Sequence, residues 1–322
     1  MIHDEFLLYR HKANPILTPR DFPGADGVRN CGQAMFGSQT ILLVSIDHRA
    51  DGYRGIQGRT THVARSKDGI KFKIDPEPFM QPPSEQKEPL FSQLDQHPID
   101  TRLTKIGDTY YILHPGGGWK APWGTCVILG KTKDFKKYEY LEVVGLPQNR
   151  GASLFPEKIN GMYARLDRPY SPGAASENGN IWISYSPDLI LWGHHRPVLA
   201  KGYTTWAWHK IGPTPPVKTD AGWLEIVHGV TSSCAGARYL LGAVLLDLKD
   251  PSKVIGKTKS YILAPLAIYE QTGRVPNVVF ACGCIADYKE DRLRVYYGAA
   301  DTCIGLATGK ISEIVDACLK EL

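Results

Sequence analysis

Two arginines bracketing one hairpin are the first residues whose type and spacing suggest chemistry. The stretch runs Arg150-Gly-Ala-Ser-Leu-Phe-Pro-Glu-Lys-Ile-Asn-Gly-Met-Tyr-Ala-Arg-Leu-Asp-Arg-Pro169. Asn160-Gly161 between two apolar runs predicts a tight hairpin, because such a turn needs residues that accept positive φ. The hairpin returns the chain so that Arg150 and Arg168 approach one another at a sheet end. Two adjacent guanidinium groups repel unless an anion lies between them, and their planar forks suit phosphate or carboxylate. A pair of solvated surface arginines is the alternative.

A repeat supplies the elements that must hold them. Five segments begin at a polar turn and run as short, aromatic-rich strands: Thr40–Asp47, Thr109–His114, Met162–Arg168, Trp223–His228 and Leu293–Asp301. Each is followed by a second strand, and three of those end in similar turns: Ser66-Lys-Asp-Gly-Ile-Lys-Phe72, Thr132-Lys-Asp-Phe-Lys-Lys-Tyr138 and Ser186-Pro-Asp-Leu-Ile-Leu-Trp192. There a hydroxyl residue and Asp build the turn and an aromatic packs the next strand. A period of about sixty residues filled with short strands and turns predicts an all-β, five-bladed β-propeller. A β-sandwich would give short strands but not this turn at blade spacing. Ile311, Ile314, Val315, Cys318, Leu319 and Leu322 fall at helical spacing. They predict a C-terminal helix packed outside the propeller and closing the ring. No low-complexity linker divides the chain, so residues 1–322 read as one catalytic domain.

Composition agrees with a strand-rich fold and excludes some partners. The 322 residues are 43% hydrophobic, enough for a large core, and 32 Gly, 23 Pro and 16 Tyr favour turns and strands. The net charge of +5 is spread without a basic run, which argues against nucleic acid or membrane and fits an anionic small substrate. Seven cysteines include no CxxC pair, and Cys282-Gly-Cys284 has the wrong spacing for a zinc knuckle, so no metal is expected. With no basic–apolar leader and no apolar run of membrane length, a reducing cytoplasm is the expected compartment.

Asp47 or His48, His114, Arg168, His228 and Asp301 stand at corresponding strand ends. In a propeller they would converge on one mouth of the axial channel. The loop Gln96-His-Pro-Ile-Asp-Thr-Arg102 adds Asp100, and around it gather Arg150, Arg168, Lys210, His228 and Tyr239. An inverting glycosidase needs two carboxylates, roughly 6.5–9.5 Å apart. Here one acid faces a cationic pocket, and bound phosphate, already anionic, needs no protein base to attack. That reads as phosphorolysis. Trp206 or Trp208, near Lys210, is the candidate for stacking on a sugar, and Glu157 for an ion pair that holds the hairpin.

Taken together, several motifs resemble glycoside hydrolase family 130, the β-mannoside phosphorylases. They are Asn14-Pro-Ile-Leu17, Ala64-Arg-Ser-Lys-Asp-Gly69, Leu154-Phe-Pro-Glu-Lys-Ile-Asn-Gly161, Lys210-Ile-Gly-Pro213, His228-Gly-Val230, Val275-Pro-Asn-Val-Val-Phe280 and Tyr297-Gly-Ala-Ala-Asp-Thr302. The resemblance implies a five-bladed propeller that cleaves a β-1,2- or β-1,4-linked mannoside with inorganic phosphate as co-substrate, inverts the anomeric centre and releases α-mannose 1-phosphate. It implies Asp100 as general acid, Arg150, Arg168, Lys210, His228 and Tyr239 as phosphate ligands, and Asn30 and Asp301 as mannosyl ligands. Arg65, in a matched motif, and His114, at a strand end, join the substrate-binding set. No other cofactor is expected, and self-association is left open. The family's acidic loop commonly reads Glu-Asp-Pro-Arg where this chain has Ile99-Asp100-Thr101-Arg102, and Ser45 stands where an arginine is usual. Two other readings are an exo-β-mannosidase of the same fold and a non-catalytic carbohydrate-binding propeller.

Overall fold

The computed structural model describes residues 6–49, 56–82, 94, 98–117, 123–170, 179–202, 204–234 and 236–320. Five antiparallel sheets form the blades of a β-propeller. From the axis outward the first blade is Ala25–Phe36, Gln39–Arg49, Ile56–Ser66 and Lys73–Ile74. The second is Arg102–Ile106, Thr109–Pro115, Val127–Thr132 and Glu139–Gly145, and the third Asn149–Leu154, Tyr163–Pro169, Ile181–Ser186 and Gly193–Leu199. The fourth is Lys210–Gly212, Trp223–Ser233, Gly236–Leu246 and Val254–Lys257, with Val217–Lys218 also on Trp223–Ser233. The fifth is Val279–Ala281, Arg292–Ala299, Cys303–Lys310 and the N-terminal Tyr9–Arg10, with Ile285–Asp287 also on Arg292–Ala299.

The expected number of blades is present, but the strand pairs legible in the sequence are the second and third of each blade. Those strands pack against a neighbouring blade on both faces and are apolar almost throughout. Ile41 and Leu43 join a cluster with Leu103, Tyr110 and Ile112 of the second blade, while Leu42 and Val44 turn to Tyr296 and Ile304 of the fifth. Comparable clusters fill the seams between the second and third, third and fourth, and fourth and fifth blades. The innermost strands line the channel and, apart from the twelve-residue Ala25–Phe36, are short, so they lack that signature. Lys210–Gly212 and Val279–Ala281 are only three residues each.

The recurrent turn forms as expected. In the first blade Asp68 Oδ1 accepts the backbone N–H groups of Ile70 and Lys71, and in the third Asp188 Oδ1 accepts those of Ile190 and Leu191. The residue after each Asp is left-handed: Gly69 at φ 73°, Phe135 at 57° and Leu189 at 73°. Asn160 and Gly161 also have positive φ, at 51° and 81°, the geometry of a hairpin turn that matches strand twist.

Ring closure departs from the sequence expectation. The helix Ile311–Leu319 does pack outside, burying Ile311, Ile314, Val315 and Cys318 against the fourth and fifth blades. Leu319 is largely exposed, and Leu322 lies outside the described residues. The strand that closes the ring comes from the other terminus, because Tyr9–Arg10 pairs with Ala307 and Thr308. Arg10 also donates Nε and Nη2 to the two carboxylate oxygens of Glu270, each at 2.7 Å, and Glu270 is fully buried. Leaving a buried carboxylate without its cation is costly, so Arg10→Ala should destabilise the fold by on the order of 3 kcal/mol. Denaturant unfolding tests this: Arg10→Ala combined with Glu270→Gln should lose less than Arg10→Ala alone. An unchanged midpoint for the single variant would assign closure to strand pairing.

Candidate active site

Irregular backbone delivers the polar side chains to the channel mouth. Arg150 is the extra residue where the pairing of Asn149–Leu154 with Tyr163–Pro169 shifts between Asn149 and Gly151. Asn30 occupies the equivalent break between Arg29 and Cys31 in the first blade. A bulge re-aims one side chain without disturbing the ladder on either side. Asp100 and Asp301 are left-handed instead, at φ 51° and 52°.

These irregularities gather the residues around one carboxylate. Asn30 Nδ2 donates to Asp100 Oδ1 at 2.7 Å, and Arg150 Nη2 lies 3.5 Å from Asp100 Oδ2. Arg168 sits opposite Gly151 across the hairpin, and the Lys210 ammonium lies 4.8 Å from the centre of the Tyr239 ring. His228 tilts against Phe280 at 4.4 Å between ring centres and stacks more loosely on Tyr239 at 6.4 Å. Its imidazole lies flat on Gly212, where any Cβ would overlap the ring, so this position of the Lys210-Ile-Gly motif requires glycine. Both ring nitrogens of His228, Nε of Arg168 and Oδ1 of Asn30 are buried with no hydrogen-bond partner among the described residues. Buried polar atoms are ordinarily satisfied, so those of His228 and Arg168 fit a polar ligand, whereas Asn30 Oδ1 is turned toward Gly298.

The structure thus brings together Asp100, Arg150, Arg168, Lys210, His228, Tyr239, Asn30 and Asp301. It separates two residues expected with them. Arg65 is six residues along its strand from Arg59, roughly 20 Å of extended chain, at the opposite end of the blade. There its guanidinium pairs with Asp75 at 2.9 Å and donates to the Phe135 carbonyl. His114 shares its second-strand position with Arg168 and His228, but its ring is engaged elsewhere. It meets the Tyr138 hydroxyl through Nε2 at 2.9 Å, within aromatic packing between blades. Trp206 is also buried, wedged against Gly229 and Gly242 with Nε1 donating to the Thr258 carbonyl, and has no face for a sugar. Trp208 is exposed, and Glu157 pairs with Lys218 of the fourth blade at 2.5 Å.

Arg102, Arg29 and Phe280 belong to the site although the sequence reading gave them no role. Arg102 Nη1 donates to the Asp100 carbonyl at 2.5 Å, and its guanidinium lies 5.7 Å from the Phe280 ring centre. Only its place two residues after Asp100 pointed to it. Ser45 is buried opposite Arg29 in the first blade, so Arg29 supplies a guanidinium beside the position where the family pattern has an arginine.

A family sequence model described as beta-1,4-mannooligosaccharide phosphorylase matches residues 40–320. The chain belongs to glycoside hydrolase family 130. It is 34% identical over 314 residues to the beta-1,4-mannooligosaccharide phosphorylase of Ruminococcus albus, covering 96% of this chain and 90% of that one. It is 41% identical over 255 residues to the beta-1,2-mannobiose phosphorylase of Listeria innocua, covering 79% and 67%. The solved complex of beta-1,2-mannobiose phosphorylase from Listeria innocua with beta-1,2-mannobiose superposes with a TM-score of 0.84 at 32% identity, covering 98% and 99%.

Electrostatics in this family 130 site follow from crowding of like charge. Burial alone would raise Asp100, but Arg150, Arg102, Arg29 and the Asn30 amide overcome it and hold its pKa at about 2. Burial, with Arg168 and Arg150 beside it, lowers Lys210 to about 7. Burial, Arg168 and Arg102 push His228 well below its usual range, which keeps the ring neutral, and burial raises Tyr239. Lys210 therefore carries its charge below pH 7 and loses it above, where an ordinary lysine stays cationic to about pH 10.4. Sulfate, whose charge does not change across this range, should bind progressively more weakly as pH rises from 6 to 9. The loss should approach about tenfold per unit above pH 7 if the ammonium form alone binds. Calorimetric titration measures it, and Lys210→Met should flatten the dependence. A flat profile for the wild type would show that Lys210 is not a ligand of the anion.

Proposed function

We propose that this protein is a β-mannoside phosphorylase, transferring a β-linked mannosyl unit to inorganic phosphate with inversion and releasing α-mannose 1-phosphate. One observation carries the reading: the buried Asp100 stands 3.5 Å from Arg150, at the edge of a cationic group made with Arg168 and Lys210, while the site's other carboxylate, Asp301, is paired with Arg29. Neutral His228 and Tyr239 complete the set as hydrogen-bonding groups. The cations and the unpartnered polar atoms suit a phosphate dianion, which brings its own nucleophilic oxygen. The curated relatives are named as phosphorylases of β-1,2- and β-1,4-linked mannosides, which agrees with this chemistry.

Phosphate held by Arg150, Arg168 and Lys210 offsets the positive charge that keeps Asp100 ionised, so its pKa rises as the co-substrate arrives. Protonated Asp100 then gives its proton to the leaving glycosidic oxygen, by way of a mannosyl hydroxyl as the family resemblance implies. A phosphate oxygen attacks the anomeric carbon from the opposite face as the glycosidic bond breaks. Overall, hydrogen phosphate and the mannoside become mannose 1-phosphate and a free acceptor hydroxyl. The proton lost by phosphate balances the one donated.

The experiment is a panel of β-1,2- and β-1,4-linked mannosides incubated with and without phosphate, assayed for mannose 1-phosphate and for free mannose. Phosphate-dependent mannose 1-phosphate is expected, and the panel also assigns the linkage. Phosphate-independent release of mannose at full rate would make the enzyme a hydrolase. Asp100→Asn should slow an ordinary mannoside by about 10²–10⁴-fold. A nitrophenyl mannoside, whose leaving group needs little protonation, should lose far less. Equal losses on both substrates would make Asp100 a sugar-positioning group rather than the acid.

A further inference from the structure

Asp47 stands at the seam of the first and fifth blades, and its side chain is fully buried. Three guanidinium groups converge on it. Arg59 Nε lies 2.7 Å from Oδ1, and Arg274 Nη1 and Arg29 Nη1 lie 3.0 and 3.6 Å from Oδ2. Two of these arginines lead on to Asp301. The other terminal nitrogen of Arg29 pairs directly with Asp301 Oδ2. The backbone N–H of Arg274 donates to Thr302 Oγ1 at 2.9 Å, and that hydroxyl donates to the Ala300 carbonyl at 2.9 Å. The left-handed turn Ala300-Asp301, with φ 47° and 52°, is therefore tied to Asp47 twice, once through a side chain and once through the backbone.

We propose that Asp47 is a positioning residue for the sugar side of the site, fixing through Arg29 and Arg274 where the Asp301 carboxylate meets the mannosyl unit. The inference rests on the β-mannoside reading of the site. Asp47 touches no substrate, since its side chain is wholly enclosed. Its charge holds three buried or half-buried cations in one arrangement, and Arg29 Nε and Arg59 Nη1 keep buried donors with no partner among the described residues. Without that carboxylate, Arg29 is left to Asp301 and Asp100 alone, both of which already attract it. Arg59 and Arg274 would then repel it. A two-residue left-handed turn has little rigidity of its own, because non-glycine residues persist there only when the surroundings over-determine them. The groups assigned to phosphate lie on the third and fourth blades, and among the described residues none of them pairs with Asp47.

Asp47→Asn keeps the shape and removes the charge. With β-mannoside and phosphate varied separately, the variant should lose about tenfold or more in kcat/KM for the mannoside, the scale of one charge-assisted contact. Its sulfate dissociation constant should match that of the wild type. Arg274→Gln, which cuts one of the two ties and leaves Asp47 in place, should give the same pattern at smaller size. It carries the test if Asp47→Asn does not fold. Unaltered mannoside kinetics in the variant that folds, or an equal loss in sulfate binding, overturns the role given to Asp47. A wild type that turns over no β-mannoside with phosphate overturns the mannoside reading itself, and this inference with it.

Discussion

The site depends on the crowding of Arg102, Arg150, Arg168 and Lys210 beside the buried Asp100 carboxylate. Like charges at short range repel, and burial adds a desolvation cost for Arg102, Arg168 and Lys210, while Arg150 stays open to solvent at the rim. The strain shows in the groups themselves: Lys210 is lowered to about 7 and Arg168 to about 10, while Asp100 is held at about 2. Free side chains would relieve this by rotating into solvent. Here they are held because each comes from a different strand of a ring whose seams are packed with apolar side chains from both neighbouring blades. Arg168 itself is almost fully buried, so its guanidinium has no route to water. The rigidity of the propeller is what keeps an anion site preformed.

How the ring presents these groups explains what was legible in the sequence. The repeat, the Asx-type turns and the Asn160-Gly161 hairpin were readable because each depends on local chemistry: apolar strands, a side chain that caps its own turn, and residues that tolerate positive φ. The cationic set was readable because unusual residue types cluster at strand ends. Three things were not readable. The innermost strands carry little apolar signature, so the ring was indexed one strand too far out; His114 shares its second-strand position with Arg168 and His228, and what engages it is the Tyr138 ring and hydroxyl, a tertiary contact with no local sign. Bulges at Asn30 and Arg150 have no sequence sign, since any residue can occupy the unpaired position. Ring closure was assigned to a strongly periodic helix when a two-residue strand, Tyr9–Arg10, closes it with the help of the Arg10–Glu270 pair. Arg65 failed for a simpler reason: the matched motif establishes a turn at the far end of the blade, where Arg65 pairs with Asp75.

The site divides by blade. Arg150 and Arg168 come from the third blade and Lys210, His228 and Tyr239 from the fourth, whereas Asn30 and Arg29 come from the first and Asp301 from the fifth. Asp100 enters from the loop before the second blade, between the two groups, bonded to Asn30 on one side and facing Arg150 on the other. That placement joins the two halves electrically. A carboxylate at a pKa of about 2 cannot serve as an acid near neutrality, because its protonated fraction would be about one part in 10⁵. Arg150, the first of the cations that hold it ionised, is also assigned to the anion. Charge arriving on the phosphate side is therefore felt as a rise in proton affinity at Asp100, without any movement of the backbone. In this reading the low pKa of the free enzyme belongs to the mechanism: it makes the acid conditional on the nucleophile, so that a glycosidic oxygen is protonated once phosphate is in place to attack. The Asn30 amide, which donates to Asp100 and favours the ionised form, sharpens that condition from the sugar side.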